Sequence, residues 1–277
     1  MISTSMAETS YRDLAEFGLP FVTPDDPAFS ALVSEIESRP EPFGPPTGDS
    51  DPAAVLLNQS GKAIVGFSYV WRYTTAEGVT RESRCANLGS SVQLEVLTGR
   101  TKVAQDLYSF ILPGSKRLIT EQGIFGNNQD VLPPDEGRRY GGRMSYSGFR
   151  DRMDDPSAAT ELCLDFVIFE DGLCAGPDES GLFESVTESL ELQCNVAQDV
   201  VAALLNGASA GQVFEILRPF ARRTPPPAPS ARRPHQVPFA SLFASMAIHE
   251  LVDSDASDLL PWFERYAQPP SLRLRRP

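Results

Sequence analysis

Hydrophobic and polar residues alternate most clearly over residues 63–73. The period of two predicts a β-strand whose apolar face consists of Ala63, Val65, Phe67, Tyr69, Trp71 and Tyr73. The opposite face is more mixed, since it includes Gly66, Ser68 and Arg72. We therefore expect a sheet with one face in a core and the other face partly exposed to solvent.

Short segments with strand character continue along the chain after a turn at Glu77 and Gly78. They predict strands at residues 80–84, 92–97, 109–112 and 118–120. No helical pattern separates these segments, so they favour a β-sandwich over β-α-β units. Residues 162–169 are apolar on both faces, which predicts a central strand that contains one acid, Asp165. A buried carboxylate needs an arginine or backbone donors as partners.

A turn at Asp171 and Gly172 predicts a hairpin in which Phe169 faces Cys174. Cys163 then lies too far from Cys174 for a disulfide, and we expect all four cysteines to be free thiols. The period changes beyond Asp178, where apolar residues recur every three or four positions from Phe183 to Leu204. This pattern predicts a long helix that Asp178 or Ser180 caps at its start.

Further helices follow the same spacing. A capping box at Ser209 and Gln212 begins a second helix of the C-terminal half. Residues 27–37, 239–252 and 261–266 also predict helices, the last with Asp258 as its cap. The basic tail, RLRRP, is typical of a frayed end.

Two segments resemble known modules. Residues 56–72 (LLNQSGKAIVGFSYVWR) and residues 110–119 (FILPGSKRLI) are similar to the strand patterns of bacterial immunoglobulin-like modules. The resemblance covers residues 55–120 and implies an immunoglobulin-like sandwich. It carries no catalytic residue, and the chain lacks the Cys–Trp–Cys framework of antibody domains.

Together these patterns predict an α+β fold, an antiparallel immunoglobulin-like β-sandwich followed by a helical region packed on it. We expect five segments: an acidic, proline-rich N-terminal segment with a short helix (1–54), a β-sandwich with a long loop at 121–156 (55–176), a helical hairpin (177–223), a Pro/Arg-rich linker (224–238), and C-terminal helices with a basic tail (239–277).

Charge and composition exclude several functions. The net charge of −13 argues against nucleic-acid binding, because phosphate contacts require a basic face. The chain has two histidines and none of the common zinc, dinucleotide, P-loop or nucleophile-elbow motifs, so we expect no cofactor. It has neither a signal-peptide pattern nor a long apolar run, which predicts a cytoplasmic protein without a membrane span.

The predicted loop at 121–156 is the strongest candidate for a binding surface. It interleaves basic and aromatic side chains that suit an anionic or aromatic partner, namely Arg138, Arg139, Tyr140, Arg143, Tyr146, Phe149 and Arg150, with Arg152 nearby. Functional loops and solvated insertions share this composition, so both interpretations stay open at this point.

Acidic residues offer an alternative site. Residues 151–200 carry thirteen acidic side chains and one basic side chain. Carboxylates at helical spacing, Glu184, Glu188 and Glu191, are typical of a solvated helix face. Residues 253–264 partly fit a calcium loop, with candidate ligands Asp253, Asp255, Ser257 and Glu264. Asp258 stands where that loop requires glycine, which favours a plain interhelical connection.

We therefore expect a non-catalytic binding or assembly protein whose partner is another protein, acting through the sandwich surface and the long loop. The alternative is a carboxylate-dependent hydrolase or a calcium-linked carbohydrate-binding protein that uses the acidic residues. The sequence favours the non-enzymatic interpretation without deciding the question, and it leaves the oligomeric state open.

Overall fold

The structure is a computed structural model, which describes residues 9–37, 53–99, 110–120, 123–125, 144–145, 159–221, 238–253, 255–269 and 271–277. The strands are β1 (Thr9–Arg12), β2 (Phe21–Val22), β3 (Ala53–Leu57), β4 (Ile64–Thr74), β5 (Thr80–Asn87), β6 (Lys116–Thr120), β7 (Gly123–Phe125), β8 (Met144–Ser145), β9 (Ala159–Phe169), β10 (Leu173–Ala175) and β11 (Arg273–Arg275). The helices are α1 (Phe29–Glu37), α2 (Ser91–Leu97), α3 (Leu182–Leu205), α4 (Ala210–Ala221), α5 (Phe239–Asp253) and α6 (Leu260–Tyr266).

The strands form two sheets. The larger sheet has the order β11-β10-β9-β4-β5, and β1 also pairs with β9. The β4 strand pairs along one side of β9, while β1 and β10 share the other side. The smaller sheet has the order β2-β3-β6-β7-β8. Most pairs are antiparallel, but β1 with β9 and β10 with β11 are parallel.

The two sheets pack face to face over an apolar core. Phe67, Tyr69 and Trp71 from β4 belong to the same buried cluster as residues of the smaller sheet such as Leu56 and Ile119. The indole nitrogen of Trp71 donates a hydrogen bond of 3.2 Å to the carbonyl oxygen of Thr120, which ties the sheets together at this point. The alternation over residues 63–73 thus predicted a real strand.

A β-bulge near the start of β4 changes the face of the sheet on which its side chains lie. Ile64 pairs with Phe169 and Gly66 pairs with Ile168, so Val65 is an extra residue. Ile64 consequently lies in the core between the sheets, whereas Val65 packs on the helical side. The prediction that Val65 shares a face with Phe67 is wrong, because a period of two does not reveal a bulge.

Helices cover the other face of the larger sheet. Sheet residues such as Val65, Phe166 and Ile168 pack with buried side chains of α2, α3, α4, α5 and α6. An aromatic group holds the last two helices together: the ring of Phe243 stacks on Trp262 at 5.5 Å between centroids. This layer confirms that the C-terminal helices pack on the sheet.

The single helix α1 lies on the outer face of the smaller sheet. Ile36 of α1 packs with Val22, Val55 and Leu118, which point away from the core between the sheets. The described residues therefore form four layers: helices, six-stranded sheet, five-stranded sheet and helix. The α+β class is confirmed. The immunoglobulin-like sandwich is not confirmed, since that fold has two antiparallel sheets without such helical layers.

Other local predictions are wrong as well. Residues 92–97 belong to helix α2, whose capping box joins Ser90 and Gln93. The hairpin after β9 pairs Cys174 with Ile168, one residue from the predicted register. The basic tail is not frayed, because residues 273–275 form β11 on the edge of β10.

The cysteines behave as expected. Cys85, Cys163, Cys174 and Cys194 all lie in the described part of the chain, and all are buried free thiols. Burial raises the pKa of Cys163 to about 11 and that of Cys174 to about 12, so both stay protonated at neutral pH. Among the described residues, no helix is both long enough and apolar enough to cross a membrane.

The helical layer provides a stability test. Phe243 is fully buried, whereas Phe214 on α4 keeps 38% of its surface exposed. We expect Phe243→Ala to lower the free energy of unfolding by about 3–5 kcal/mol, because it leaves a cavity among aromatic rings. The matched control Phe214→Ala should cost less than about 1 kcal/mol. Urea denaturation followed by circular dichroism measures both, and equal losses would contradict the assigned packing.

Candidate functional site

The basic and aromatic candidates lie outside the described residues. These are Arg138, Arg139, Tyr140, Arg143, Tyr146, Phe149 and Arg150, and Arg152 does as well. Strands β7 and β8 fall within the predicted loop at 121–156 and interrupt it. β8 separates the candidates that end at Arg143 from those that begin at Tyr146. Their role in binding stays a prediction.

The calcium candidates lie around the connection between α5 and α6. Asp253 is the last residue of α5, Ser257 belongs to a 3-10 helix (Ala256–Leu259), and Glu264 is an exposed residue of α6. Among the described residues, no group of three or more His, Cys, Asp or Glu side chains is arranged to hold a metal ion. Calcium binding by Asp253, Asp255, Ser257 and Glu264 stays a prediction. Asp258 does not cap α6, because Leu259 takes the cap position.

The acids on α3 form a solvent-facing row, as expected. Glu184, Glu188 and Glu191 are exposed, and so is His249 on α5. The buried residues of α3 lie on its opposite stripe, which packs on the sheet. The spacing of these carboxylates therefore reflects an amphipathic helix.

Asp165 is fully buried in β9 and is surrounded by donors. Ser68 pairs with Phe166 and Tyr69 pairs with Leu164, so Asp165 is the extra residue of a second β-bulge. Its carboxylate accepts hydrogen bonds from the backbone N–H of Glu179 at 2.8 Å and from the hydroxyl of Ser180. The expectation of an arginine or backbone donors is met by backbone donors.

Asp165 thereby positions the turn that begins α3. Its carbonyl oxygen accepts the N–H of Asp178, and the Asp178 carboxylate accepts the N–H groups of Leu182 and Phe183. Gly181 takes the cap position of α3, so Asp178, one of the two predicted caps, accepts these N–H groups from outside that position. Gly176, at φ +129°, makes this turn possible, since a Cβ there would stand 2.2 Å from the carbonyl oxygen of Asp165.

The same turn places Glu179 over an array of charged side chains, which we name the Arg72 cluster: Arg12, Arg72, Glu82, Glu161 and Glu179. Arg72 donates hydrogen bonds to Glu82 at 2.9 Å, to Glu161 at 2.6 Å and to Glu179. Arg12 donates to Glu179 at 3.0 Å. Register explains the array, because Glu82, Arg72 and Glu161 occupy one row across β5, β4 and β9.

The side chains of the Arg72 cluster differ in how far they are exposed to solvent. The Arg72 side chain is 14% exposed, whereas that of Arg12 is 46% exposed. Burial opposes the charge on Arg72, but its hydrogen bonds to Glu161 and Glu82 outweigh that effect and raise its pKa. Burial likewise opposes the charge on Glu179, yet Arg12 and Arg72 together lower its pKa. Arg72 and Glu179 are therefore charged near neutral pH.

The cluster borders β5, the edge strand of the larger sheet. The N–H of Thr75 donates to the carbonyl oxygen of Val79 at 3.0 Å, so these two residues form a hydrogen-bonded pair at the hairpin. Hydrogen-bonded and non-hydrogen-bonded pairs alternate in an antiparallel ladder. The register from Thr80 onward is continuous, which makes Arg81 and Ser83 the residues that bond to β4.

The backbone groups of Thr80, Glu82 and Arg84 consequently point away from β4. Within the part of the chain that the structure describes, no strand pairs with the outer edge of β5 over residues 80–85. These three residues offer N–H donors and C=O acceptors at the rim of the sheet. Such an edge is a template for adding another strand.

Sequence reasoning missed the Arg72 cluster and the β5 edge as a combined surface. The pattern correctly placed Arg72 on the mixed face of its strand. It could not align Arg72 with Glu82 and Glu161, because that alignment depends on register across three strands and on the bulge at Asp165. Comparison of the chain with protein-family models, curated proteins and solved structures finds no match.

The Arg72 cluster predicts how stability depends on pH. Hydrogen bonds from Arg84 and Arg72 lower the pKa of Glu82 below 4.5, and the pKa of Glu179 is also lowered. Folded-state carboxylates with lowered pKa values stabilise the protein above the unfolded pKa, and this contribution is lost as the pH falls through the folded pKa. The free energy of unfolding should therefore decrease below about pH 4.5.

Arg72→Gln should make that decrease shallower, because Glu82 and Glu179 each lose one of the two arginines that lower their pKa values. It should also cost about 2 kcal/mol at neutral pH, since charged hydrogen bonds are lost. Arg218→Gln is the matched control, because Arg218 pairs with Glu215 on the exposed surface of α4. Urea denaturation between pH 3 and pH 7 gives each slope. An Arg72→Gln slope equal to that of the wild type would refute the assignment.

Proposed function

We propose that the protein is a non-catalytic binding and assembly protein that acts by strand addition at the outer edge of β5. The single observation that carries this proposal is the row of outward backbone groups at Thr80, Glu82 and Arg84. An incoming extended segment gains main-chain hydrogen bonds there, and the neighbouring side chains select which segment fits. The partner is another protein chain.

The Arg72 cluster supports the proposal because it orders the side chains beside the edge. Glu82 accepts from both Arg72 and Arg84, so its position is set before any partner arrives. A preordered surface loses less conformational entropy on binding than a mobile one. The basic and aromatic residues around 138–150 are proposed as a second contact, for an anionic part of the partner.

Glu82→Pro tests strand addition directly. The N–H of Glu82 does not bond to β4, so proline removes an outward donor without removing a hydrogen bond of the sheet. Glu82→Ala is the matched control, since it loses the same ion pairs but keeps the N–H. We expect Glu82→Pro to weaken partner binding by at least about tenfold relative to Glu82→Ala, the effect of one to two backbone hydrogen bonds.

The measurement uses full-length tagged protein in a native lysate that also contains a differently tagged copy of the same chain. Captured chains are quantified by mass spectrometry, and amide hydrogen exchange is then recorded on the purified complex. Support requires capture by wild type and Glu82→Ala but not by Glu82→Pro, with slowed exchange at Glu82 and Arg84. Equal capture by the two variants, or no capture by wild type, contradicts the proposal.

The second contact has its own test. Alanine at Arg138, Arg139, Arg143 and Arg150 should weaken partner binding, and the loss should shrink as salt rises, because charge–charge attraction is screened. The same number of alanines at Arg222 and Arg223, which follow α4 in the sequence, and at Arg232 and Arg233 of the Pro/Arg-rich linker gives an equal change in net charge. Titrations with the captured partner at low and high salt compare the two. Equal affinities at every salt concentration would exclude a role for the residues around 138–150.

A further inference from the structure

The charges that flank Ser83 on β5 are of opposite sign. Glu82 and Arg84 both lie on the charged face of the sheet, in register with Arg72 and Val70 of β4. Both have outward backbone groups, so an added strand would place its own side chains directly beside them. The identity of the added strand can therefore be argued from charge.

We propose that the strand added at β5 is β5 of a second copy of this chain, antiparallel, with Ser83 on the twofold axis. This inference rests on the proposed function and names its partner. Glu82 of each copy then pairs with Arg84 of the second copy, and Arg84 with Glu82. Such an interface uses the same surface twice, as twofold symmetry requires.

Charge selects this register over its neighbours. Outward groups must face outward groups, so the registers that pair Glu82 and Arg84 among themselves have the twofold axis near Glu82, Ser83 or Arg84. An axis at Glu82 places two glutamates opposite each other, and an axis at Arg84 places two arginines opposite each other. Like charges directly opposite are destabilising, whereas opposite charges contribute favourably. Only the axis at Ser83 joins unlike charges at both positions.

The proposed pair also continues the charge order of the Arg72 cluster. Along one row, Glu161 of β9, Arg72 of β4 and Glu82 of β5 already alternate in sign. Arg84 of the second copy would extend that alternation across the axis. Charged residues on an edge strand usually prevent pairing between copies. Here the charges of Glu82 and Arg84 disfavour the registers centred on Glu82 and Arg84 and favour the register centred on Ser83.

The interface is small. The two pairs between Glu82 and Arg84 give four backbone hydrogen bonds, and so small an interface is typical of weak, concentration-dependent association. Ser83 bonds to β4, so across the axis it forms a non-hydrogen-bonded pair with Ser83 of the second copy, about 4.5 Å apart between Cα atoms. Disulfides accept that separation.

The first experiment therefore traps the dimer with Ser83→Cys. We expect full-length Ser83→Cys to form a covalent dimer under mild oxidation at least about tenfold faster than Thr80→Cys. In the proposed dimer the two residues at position 80 lie about 20 Å apart, too far for a disulfide. Thr80 lies on the same edge strand, which makes Thr80→Cys the matched control. Wild type, with its four buried thiols, should stay uncrosslinked. Equal rates for the two variants overturn the proposed register.

A charge exchange tests the pairing without a crosslink. Glu82→Arg carries arginine at both positions and Arg84→Glu carries glutamate at both, so neither variant can pair with itself. Mixed together, the two variants become complementary at both positions. Sedimentation velocity should show a concentration-dependent dimer for wild type and for the mixture, and at least about tenfold weaker association for either variant alone. A mixture that associates no better than its components overturns the proposal.

Failure of this inference and failure of the proposed function are distinguishable. If wild type is monomeric at high concentration but captures another protein that Glu82→Pro does not capture, strand addition stands. A second copy of the chain is then excluded as the added strand. If Glu82→Pro captures as much as Glu82→Ala, strand addition itself is excluded.

Discussion

The fold depends on one buried carboxylate. Asp165 lies inside β9 at a bulge, where its oxygens accept hydrogen bonds from the turn that precedes α3. An unsatisfied buried carboxylate would be costly, so the turn must close over it. That closure sets the start of α3 and brings Glu179 to the charged face of the sheet. A single desolvated group thus links the helical layer to the surface beside β5.

As a result, the helical face of the larger sheet is apolar along one part of its strands and charged along the other. Near Phe166 and Ile168 its helical face is apolar and covered by α2–α6. Beyond Asp165 the same face carries Arg72 and Glu161, and the turn with Glu179 covers them in part. Unpaired charges would be costly in the covered half, because the helices desolvate it. The charged half falls beside β5.

Patterns local in sequence predicted much of this fold. The spacing of α3 and the capping box at Ser209 and Gln212 needed only neighbouring residues, and the structure contains both. The error at residues 92–97 arose because Val92, Leu94 and Val96 alternate, whereas the capping box before them favours a helix. The Arg72 cluster could not be predicted, because register and bulges depend on distant partners.

The strands β1 and β11 belong to one sheet although they lie far apart in the sequence. During synthesis, Thr9–Arg12 leaves the ribosome long before its partner β9, and β10 cannot pair with β11 until Arg273–Arg275 has emerged. The sheet is therefore completed only after residue 275 has been translated. Such distant pairings slow folding, and they leave strand edges open to chaperones in the interval.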